Sequence, residues 1–477
     1  MGRRYDLIIV GMGSAGMTAA ELAAGTLGLR VAAVERGRVG GDCLWTGCVP
    51  SKALLASARA ADTVRGADRL GLQARLEPVN TAAVLERVRA VQLEIAAVDD
   101  SPERFAALGV DLFSGSARLT GPHQVRVGET DLHAKFILLC TGSRPAIPDV
   151  PGLAQAGFLT TETVWAQTRL PPSLVVIGGG PVAVEMSQAC ARLGVGVTLL
   201  QRGPRILARD EPALAAMLDA ALRADGVDVH TEVSIERVTV ERSEKVVHGL
   251  QRGKACRWTA RELLVAAGRR CDLEDLNLPS AGVRVASHGV VTDARLRTTV
   301  PSVYAAGDLA GRHAFTHSAG FEAARAVRNM FFPGAQGGAY AVPWTTFTDP
   351  ELAHAGLTEA QAQAAHGERH VEVWRHDLAH SDRARAEGRT QGAILVITAR
   401  GRVVGAHVLA PAAGEIIHEL ALAIHQRLRL RELATLVHVY PTFSLGVQQL
   451  GARASYRSAR RLRALSRLWA WRTYRGP

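Results

Sequence analysis

Residues Tyr5–Gly16 read YDLIIVGMGSAG. A short apolar run stops at Gly11, two more glycines follow at positions 13 and 16, and the helical pattern MTAAELAA takes over. A second apolar run, VAAVE, ends on Glu35. Strand, glycine loop, helix and strand in this order form the unit that cradles a dinucleotide pyrophosphate. The glycines permit a tight turn and close backbone approach, and the helix N-terminus faces the phosphates. Glu35 stands where a carboxylate would bind a ribose hydroxyl.

The unit recurs. Leu174–Ile177 reads as a strand, Gly178–Ala183 (GGGPVA) as the loop, MSQACARLG as the helix, and VTLLQ, ending at Gln201, as the second strand. Pro171 and Pro172 mark a boundary before it, because consecutive prolines interrupt regular structure. Two such units in one chain suggest two nucleotides held for electron transfer. The ends of the second strands differ. Glu35 suits a free 2′-hydroxyl, as on the adenosine of FAD. Gln201 and Arg202, followed by Arg205 and Arg209, suit a 2′-phosphate, which a guanidinium binds bidentately and a carboxylate would repel. NADPH is therefore favoured over NADH.

Length and composition fit this reading. With 477 residues the chain is too long for one ordinary core. An apolar share of 47%, 47 glycines and 21% charged residues describe a packed α/β protein. Neither a signal peptide nor a spanning apolar stretch is expected, which points to a cytoplasmic protein. The net charge of +11 is concentrated at the end, because residues 452–477 hold eight arginines and no acid. Without a general basic field, a nucleic-acid partner is not expected.

Strand-to-loop stretches of similar flavour appear at 137–145 (ILLCTGSRP) and 262–270 (ELLVAAGRR), and VYAAGDLAG places Asp308 between glycines. From Val342 the chain changes character. VPWTTFTDPE, the strands ILVIT and VVGAHVL, and the long helical pattern GEIIHELALAIHQRLRLRELATLV read as a separate α+β domain.

Residues 40–52, GGDCLWTGCVPSK, begin the helix that follows Glu35 and set Cys43 and Cys48 with four residues between them. A zinc half-site, a structural disulfide and a redox couple are the candidate uses. Zinc needs two more ligands, and no CxxC pair exists in the chain to supply them. A reducing compartment disfavours a structural disulfide, and a helix N-terminus stabilises a thiolate, so the redox couple is the preferred reading. No metal is expected.

These stretches together resemble the pyridine nucleotide–disulfide oxidoreductases, the group of glutathione reductase, dihydrolipoamide dehydrogenase and mercuric reductase. The resemblance runs from Arg4 to about Ala454. It implies an α/β fold with two Rossmann-like dinucleotide-binding domains and a C-terminal α+β dimerisation domain. Residues 1–150 and 280–341 would bind FAD, 151–279 NAD(P)H, 342–455 would form a homodimer, and 456–477 a basic tail. Gly11, Gly13, Gly16 and Glu35 would hold FAD, with Gly41, Asp42, Thr141, Gly142 and Asp308 contacting it further along. Gly178, Gly180, Ala183, Gln201, Arg202 and Gly268 would serve the nicotinamide nucleotide. Cys48 is implied as the sulfur beside the flavin and Cys43 as the one that exchanges with substrate. Lys52 is implied near flavin N5, paired with Glu185.

Departures from the pattern set the expected function. Disulfide reductases of this group carry HPT…E, in which His is the acid–base and Glu orients it. Here Tyr440 takes the His position and Leu445 the Glu position, with His438 two residues earlier. Tyr440 and His438 are the remaining candidate catalytic residues. DCLWTGC and the segment Gln201–Pro212 are nearer to mercuric reductases, yet their C-terminal cysteine pair is missing, and Pro181 stands where glutathione reductase has a gating tyrosine. The expectation is a flavoenzyme passing electrons from NAD(P)H through Cys43–Cys48 to a small non-glutathione acceptor: a metal ion, a quinone or an unusual disulfide. A dihydrolipoamide dehydrogenase for a particular lipoyl partner, or a non-catalytic redox sensor, are the alternatives. In the tail, Tyr456, Ala459, Leu462, Leu465 and Trp469 follow helical spacing among arginines, with Trp471 and Tyr474 as aromatic anchors. Such a helix either packs on the dimerisation domain or lies on an anionic membrane.

Overall fold

The computed structural model describes residues 4–271, 273, 275–334, 337, 341–459 and 463–474. The chain folds as two compact units, one from residues 1–58, 78–202 and 233–339 and the other from 59–77, 203–232 and 340–477.

The first unit begins with β1 (Arg4–Val10), α1 (Ser14–Ala20, continued by a wider π-type turn to Thr26) and β2 (Val31–Glu35). Next come the short helix α2 (Gly41–Trp45), α3 (Cys48–Arg65) and α4 (Thr81–Val98). The strands β3 (Val110–Ser114), β4 (Ala117–Gly121), β5 (Gln124–Val127) and β6 (Thr130–Leu139) follow. The sheet runs β3-β2-β1-β6-β5-β4. Its β3-β2-β1-β6 portion is parallel. Leu7 and Ile9 enter one buried cluster with Ala19, Phe105 and Tyr304. Ile8 and Val10 enter another with Val34, Leu119 and Ile137. Burial on both faces explains why β1 reads as a continuous apolar run rather than an alternating one.

The second nucleotide-binding pattern forms β7 (Ser173–Ile177), α5 (Pro181–Arg192), β8 (Gly196–Leu200) and β9 (Glu262–Val265). β8, β7 and β9 are parallel neighbours in that order. An antiparallel meander over 233–260 is inserted before β9. The whole segment is entered and left at one place, where Arg144–Pro145 pairs with Arg269–Arg270. The chain then returns to the first sheet through β10 (Val303–Ala305), parallel to β6, and continues into α6 (Thr316–Phe331).

In the second unit a sheet of β11 (Trp344–Thr346), β12 (Glu351–Gly356), β13 (Val371–Asp377), β14 (Ala393–Ala399) and β15 (Arg402–Ala410) runs β11-β12-β15-β14-β13. Its helices include α7 (Ala413–His425), α8 (Leu445–Ala459) and α9 (Arg463–Tyr474). The long helical pattern expected from Gly414 stops at His425. Arg427 takes a φ of 55°, and the Leu428 N–H turns back to the Ala423 carbonyl at 2.9 Å. Segment 203–232 belongs to this unit. Asp210 Oδ1 accepts from Trp344 Nε1 at 2.9 Å, and Glu211 Oε2 accepts from the Glu359 N–H at 3.1 Å.

The tail is helical over the described residues on both sides of 460–462, in α8 and α9. α8 is held to β13 by Arg457, 2.6 Å from Glu372, and by Arg453, which donates to the Arg375 carbonyl at 2.8 Å. In α9, residues 463–471 are exposed. Leu462 and the side chain of Tyr474 lie outside the described residues.

Candidate active site

The redox turn is built from two helices rather than one helix start. Cys43 lies in α2 and Cys48 is the first residue of α3, with Thr46 and Gly47 between. Gly47 has no room for a side chain, since a Cβ there would lie 3.0 Å from the Asp42 carbonyl oxygen. Three groups outside the motif hold the turn. Buried Gln92 of α4 donates to the Leu44 and Trp45 carbonyls at 3.0 and 2.8 Å. Trp165 Nε1 donates to the Thr46 carbonyl at 3.0 Å. Trp45 Nε1 donates to the Val39 carbonyl at 2.8 Å.

Cys43 and Cys48 are both thiols in this structure and are electrostatically unequal. The Cys43 thiol donates to Cys48, which brings Cys48 down to about 6. Burial opposes the shift, while the Thr316 hydroxyl, with Oγ1 3.4 Å from Cys48 Sγ, and the Lys52 charge assist it. The same hydrogen bond, with burial and the neighbouring sulfur's charge, holds Cys43 far above the ordinary thiol range. At neutral pH the reduced pair is therefore a Cys48 thiolate beside a Cys43 thiol. Lys52 Nζ, one turn along α3, forms an ion pair with Glu185 Oε2 of α5 at 2.9 Å. The Glu185 side chain is only 6% exposed, so the pair is buried on the carboxylate side.

The residues expected to hold FAD surround this turn with features suited to that group. Gly11 has a φ of +97°, and a Cβ there would stand 2.6 Å from the Cys140 carbonyl oxygen. A Cβ on Gly16 would stand 1.9 Å from the Gly11 oxygen. Glu35 lies at the end of β2, its carboxylate accepting from the Met12 and Gly37 N–H groups at 2.7 Å each. Thr141 Oγ1 is buried without a hydrogen-bond partner, a polar atom that a bound ligand can satisfy. Four loops are tied together beside it. Arg269 pairs with Asp42, donates to Ser143 Oγ at 2.8 Å and lies 3.6 Å from Asp308, which accepts from Ser143. Gly41 precedes Asp42, and Gly142 and Gly268 flank Ser143 and Arg269, both at positive φ.

In the second nucleotide-binding pattern Gly178 repeats the close approach of Gly11. Its Cβ would lie 2.2 Å from the Ala266 oxygen. Gly180 precedes the first residue of α5, and Ala183 is fully buried. The Gln201 side chain packs over Gly179, and Arg202 is exposed. Arg205 is committed to the Leu207 and Ala208 carbonyls at 2.8 and 2.7 Å, and Arg209 lies over the Trp344 ring.

His438 and Tyr440 belong to the second unit and differ in accessibility. His438 Nε2 contacts Glu419 at 3.0 Å, with the imidazole 9% exposed. Tyr440 is 66% exposed and donates to Asp382 at 3.1 Å. Gln92, Trp165, Ser143, Arg269, Thr316 and Glu419 were not recognisable as site residues from sequence. Gln92, Trp165 and Thr316 lie outside the stretches read above, while Ser143, Arg269 and Glu419 lie within 137–145, 262–270 and the helical pattern from Gly414 with nothing local to mark them, and tertiary packing gives each its partner.

The paired nucleotide-binding patterns and the dithiol between them define a dinucleotide-dependent thiol oxidoreductase. The chain belongs to the pyridine nucleotide-disulphide oxidoreductase family, whose main region matches residues 5–323 and whose dimerisation domain matches residues 342–450. It is 34% identical over 370 residues to the mercuric reductase of Bacillus cereus, covering 75% of this chain and 57% of that protein. It is 34% identical over 475 residues to the dihydrolipoyl dehydrogenase of Thermus scotoductus, covering 96% of this chain and 98% of the relative. Among solved structures, it resembles the Cu(II) complex of a cysteine-to-serine mutant of the HOCl-induced flavoprotein disulfide reductase RclA from Escherichia coli. That match has a TM-score of 0.84 at 25% identity and covers 95% of this chain and 99% of that one.

Proposed function

We propose that this chain is a cytoplasmic, homodimeric oxidoreductase that takes electrons from NAD(P)H, preferably NADPH, and passes them through Cys43 and Cys48 to a small acceptor other than glutathione disulfide. The observation that carries this reading is the placement of Cys43 on α2 and of Cys48 at the start of α3, beside the Lys52–Glu185 ion pair. FAD, when bound, supplies hydride acceptance from the nicotinamide and electron transfer to the disulfide. The protein's own groups do the rest. Cys48 carries the stabilised thiolate, Lys52 and Glu185 hold a fixed charge pair beside it, and Cys43 keeps its proton until it attacks or exchanges. Arg202 is the exposed guanidinium suited to a 2′-phosphate.

Anaerobic titration with NADPH tests this reading. The reduced protein should develop a long-wavelength thiolate-to-flavin absorbance that Cys48→Ser abolishes and Cys43→Ser makes permanent. A spectrum unchanged by both substitutions would refute the redox couple.

The likeness to dihydrolipoyl dehydrogenase over nearly the full length of both chains favours a second reading, oxidation of a lipoyl partner. A dihydrolipoamide assay separates the two. A peripheral contact with anionic membrane is a further part of the proposal, supported by exposed Leu465, Leu468 and Trp469 on a basic helix. Among the described residues no helix is long and apolar enough to cross a membrane. Co-sedimentation with anionic vesicles at low salt, lost in a chain ending at Ala459, tests the contact.

A further inference from the structure

Cys43 lines a cavity of about 420 Å³ in the first unit, with a wall formed by Glu21, Asp99, Asp100, Arg104 and His317 among others. The volume suits a small-molecule acceptor, and the redox sulfur at its wall makes it a place of exchange. Its charges do not balance. Arg104 pairs with Glu21 at 2.6 Å and spends a further donor on the Asp99 carbonyl at 3.0 Å. Among the described residues neither the Asp99 nor the Asp100 carboxylate forms an ion pair. Asp100 is held above the ordinary carboxylate range by burial and by Asp99 beside it, with the Arg104 charge opposing the shift only in part. The Cys48 thiolate adds negative charge on the other side of Cys43. An acceptor bearing carboxylates next to its reactive atoms would meet this wall at a cost, whereas a positive charge would relieve it.

We infer that the cavity beside Cys43 selects a positively charged acceptor, either a disulfide bearing ammonium groups or a divalent metal cation that accepts electrons in passing. This rests on the proposed route through Cys43 and Cys48 and names the acceptor class for it. A metal in this role is the acceptor, that is, a substrate. The exchange balances for both sources. The Cys43 thiol and the Cys48 thiolate lose two electrons and form the Cys43–Cys48 bond. With an external disulfide, its S–S bond breaks to one thiol and one thiolate, and the Cys43 proton goes to the thiol. With a divalent ion such as Cu(II), two ions each take one electron and the Cys43 proton passes to water.

The test uses the FAD-loaded protein, NADPH and three probes under anaerobic conditions: cystamine, 3,3′-dithiodipropionate and Cu(II) with a Cu(I)-specific chelator. Each disulfide rate is divided by that probe's rate with a free small dithiol, which removes intrinsic reactivity. The normalised kcat/KM for cystamine should exceed that for the dianion by about tenfold. Rising ionic strength should lower the first and raise the second. Asp99→Asn with Asp100→Asn should collapse the preference and weaken Cu(II) turnover. Turnover of cystamine alone assigns the organic source, and of Cu(II) alone the metal. Equal normalised rates for the two disulfides with no Cu(II) turnover would overturn the inference. So would a preference, or a Cu(II) rate, that the double substitution leaves intact. Turnover that survives Cys43→Ser with every probe would instead overturn the route through the pair, whatever the charge of the cavity.

Discussion

His438 Nε2 lies 3.0 Å from Glu419 Oε2, and its Nδ1 lies 3.3 Å from the Leu436 carbonyl, so both ring nitrogens face acceptors inside the fold. The other carboxylate oxygen, Glu419 Oε1, is buried without a partner. This arrangement makes the imidazole a tether between α7 and the segment before Pro441, and leaves Tyr440 as the accessible group. Asp382 raises the Tyr440 phenol above its ordinary value, so it keeps its proton at neutral pH and can donate one. His438→Leu should cost about 2 kcal/mol of stability, because a charge-assisted bond is lost and an acid stays buried. Tyr440→Phe should leave the urea midpoint in place and depress acceptor turnover without slowing flavin reduction. Equal stability losses in the two variants would refute the division.

Alkylation by iodoacetamide reads the Cys48 thiolate directly. In the reduced protein its rate should rise with pH to a half-point near 6 and then level off. Cys43→Ser should move the half-point upward, since the Cys43 hydrogen bond is the largest cause of the shift. A half-point above about 8 in the unmodified protein, the range of an ordinary thiol, would sink the assignment.

Gln92 gives a test of positioning. Gln92→Leu keeps the volume and removes both donors from the Leu44 and Trp45 carbonyls. Urea denaturation should show a loss of about 1–3 kcal/mol, and the iodoacetamide half-point should move as α2 loosens. A stable variant with an unmoved half-point would mean that the turn holds itself.

Arg202→Ala should erode a preference for NADPH over NADH by about 1.5–3 kcal/mol, the scale of a charge-assisted contact. Stopped-flow rates of flavin reduction with both nucleotides measure it. Equal rates in the unmodified protein would return Arg202 to the solvated surface.

The second unit carries a pH dependence of its own. Burial lowers His354 to about 3 and His407 to about 4. His354 stacks on Trp344 at 3.6 Å and meets His407 edge-on at 4.6 Å. Both values lie below the ordinary 6.5. The unfolded chain therefore binds protons first, and stability is full above about 6.5 and falls as pH drops toward 4. Asp210, raised by burial to about 6, works in the opposite sense and softens the slope. Urea midpoints followed from pH 7 to 4 should fall, and His407→Gln should flatten the fall. A midpoint independent of pH would contradict this.

Much of the first unit could be read from the chain because its signals are local. YDLIIVGMGSAG and SLVVIGGGPVA each carry their strand, turn and helix within a few residues, and the backbone at Gly11, Gly16 and Gly178 admits no side chain. Cys43, Cys48 and Lys52 sit on one short motif. What could not be read depends on long-range contact. Gln92 meets Leu44 across 48 positions, and Arg269 meets Asp42 across 227. Nothing near Arg427 in sequence announces a helix end, since the apolar pattern of α7 continues past it and only packing turns the chain.

The pairing of Arg144–Pro145 with Arg269–Arg270 brings the chain back to the point from which it departed. Residues 146–268 thus leave and re-enter the first sheet's connectivity at one stem of two short strands. Removing them would leave two ends already side by side, ready to be joined by a tight turn. The path from β6 to β10 could then close without crossing any other strand. The segment is nonetheless tied to the dithiol, because its Trp165 donates to the Thr46 carbonyl and its Glu185 pairs with Lys52, so exchanging it would alter the redox turn as well as the choice of reductant.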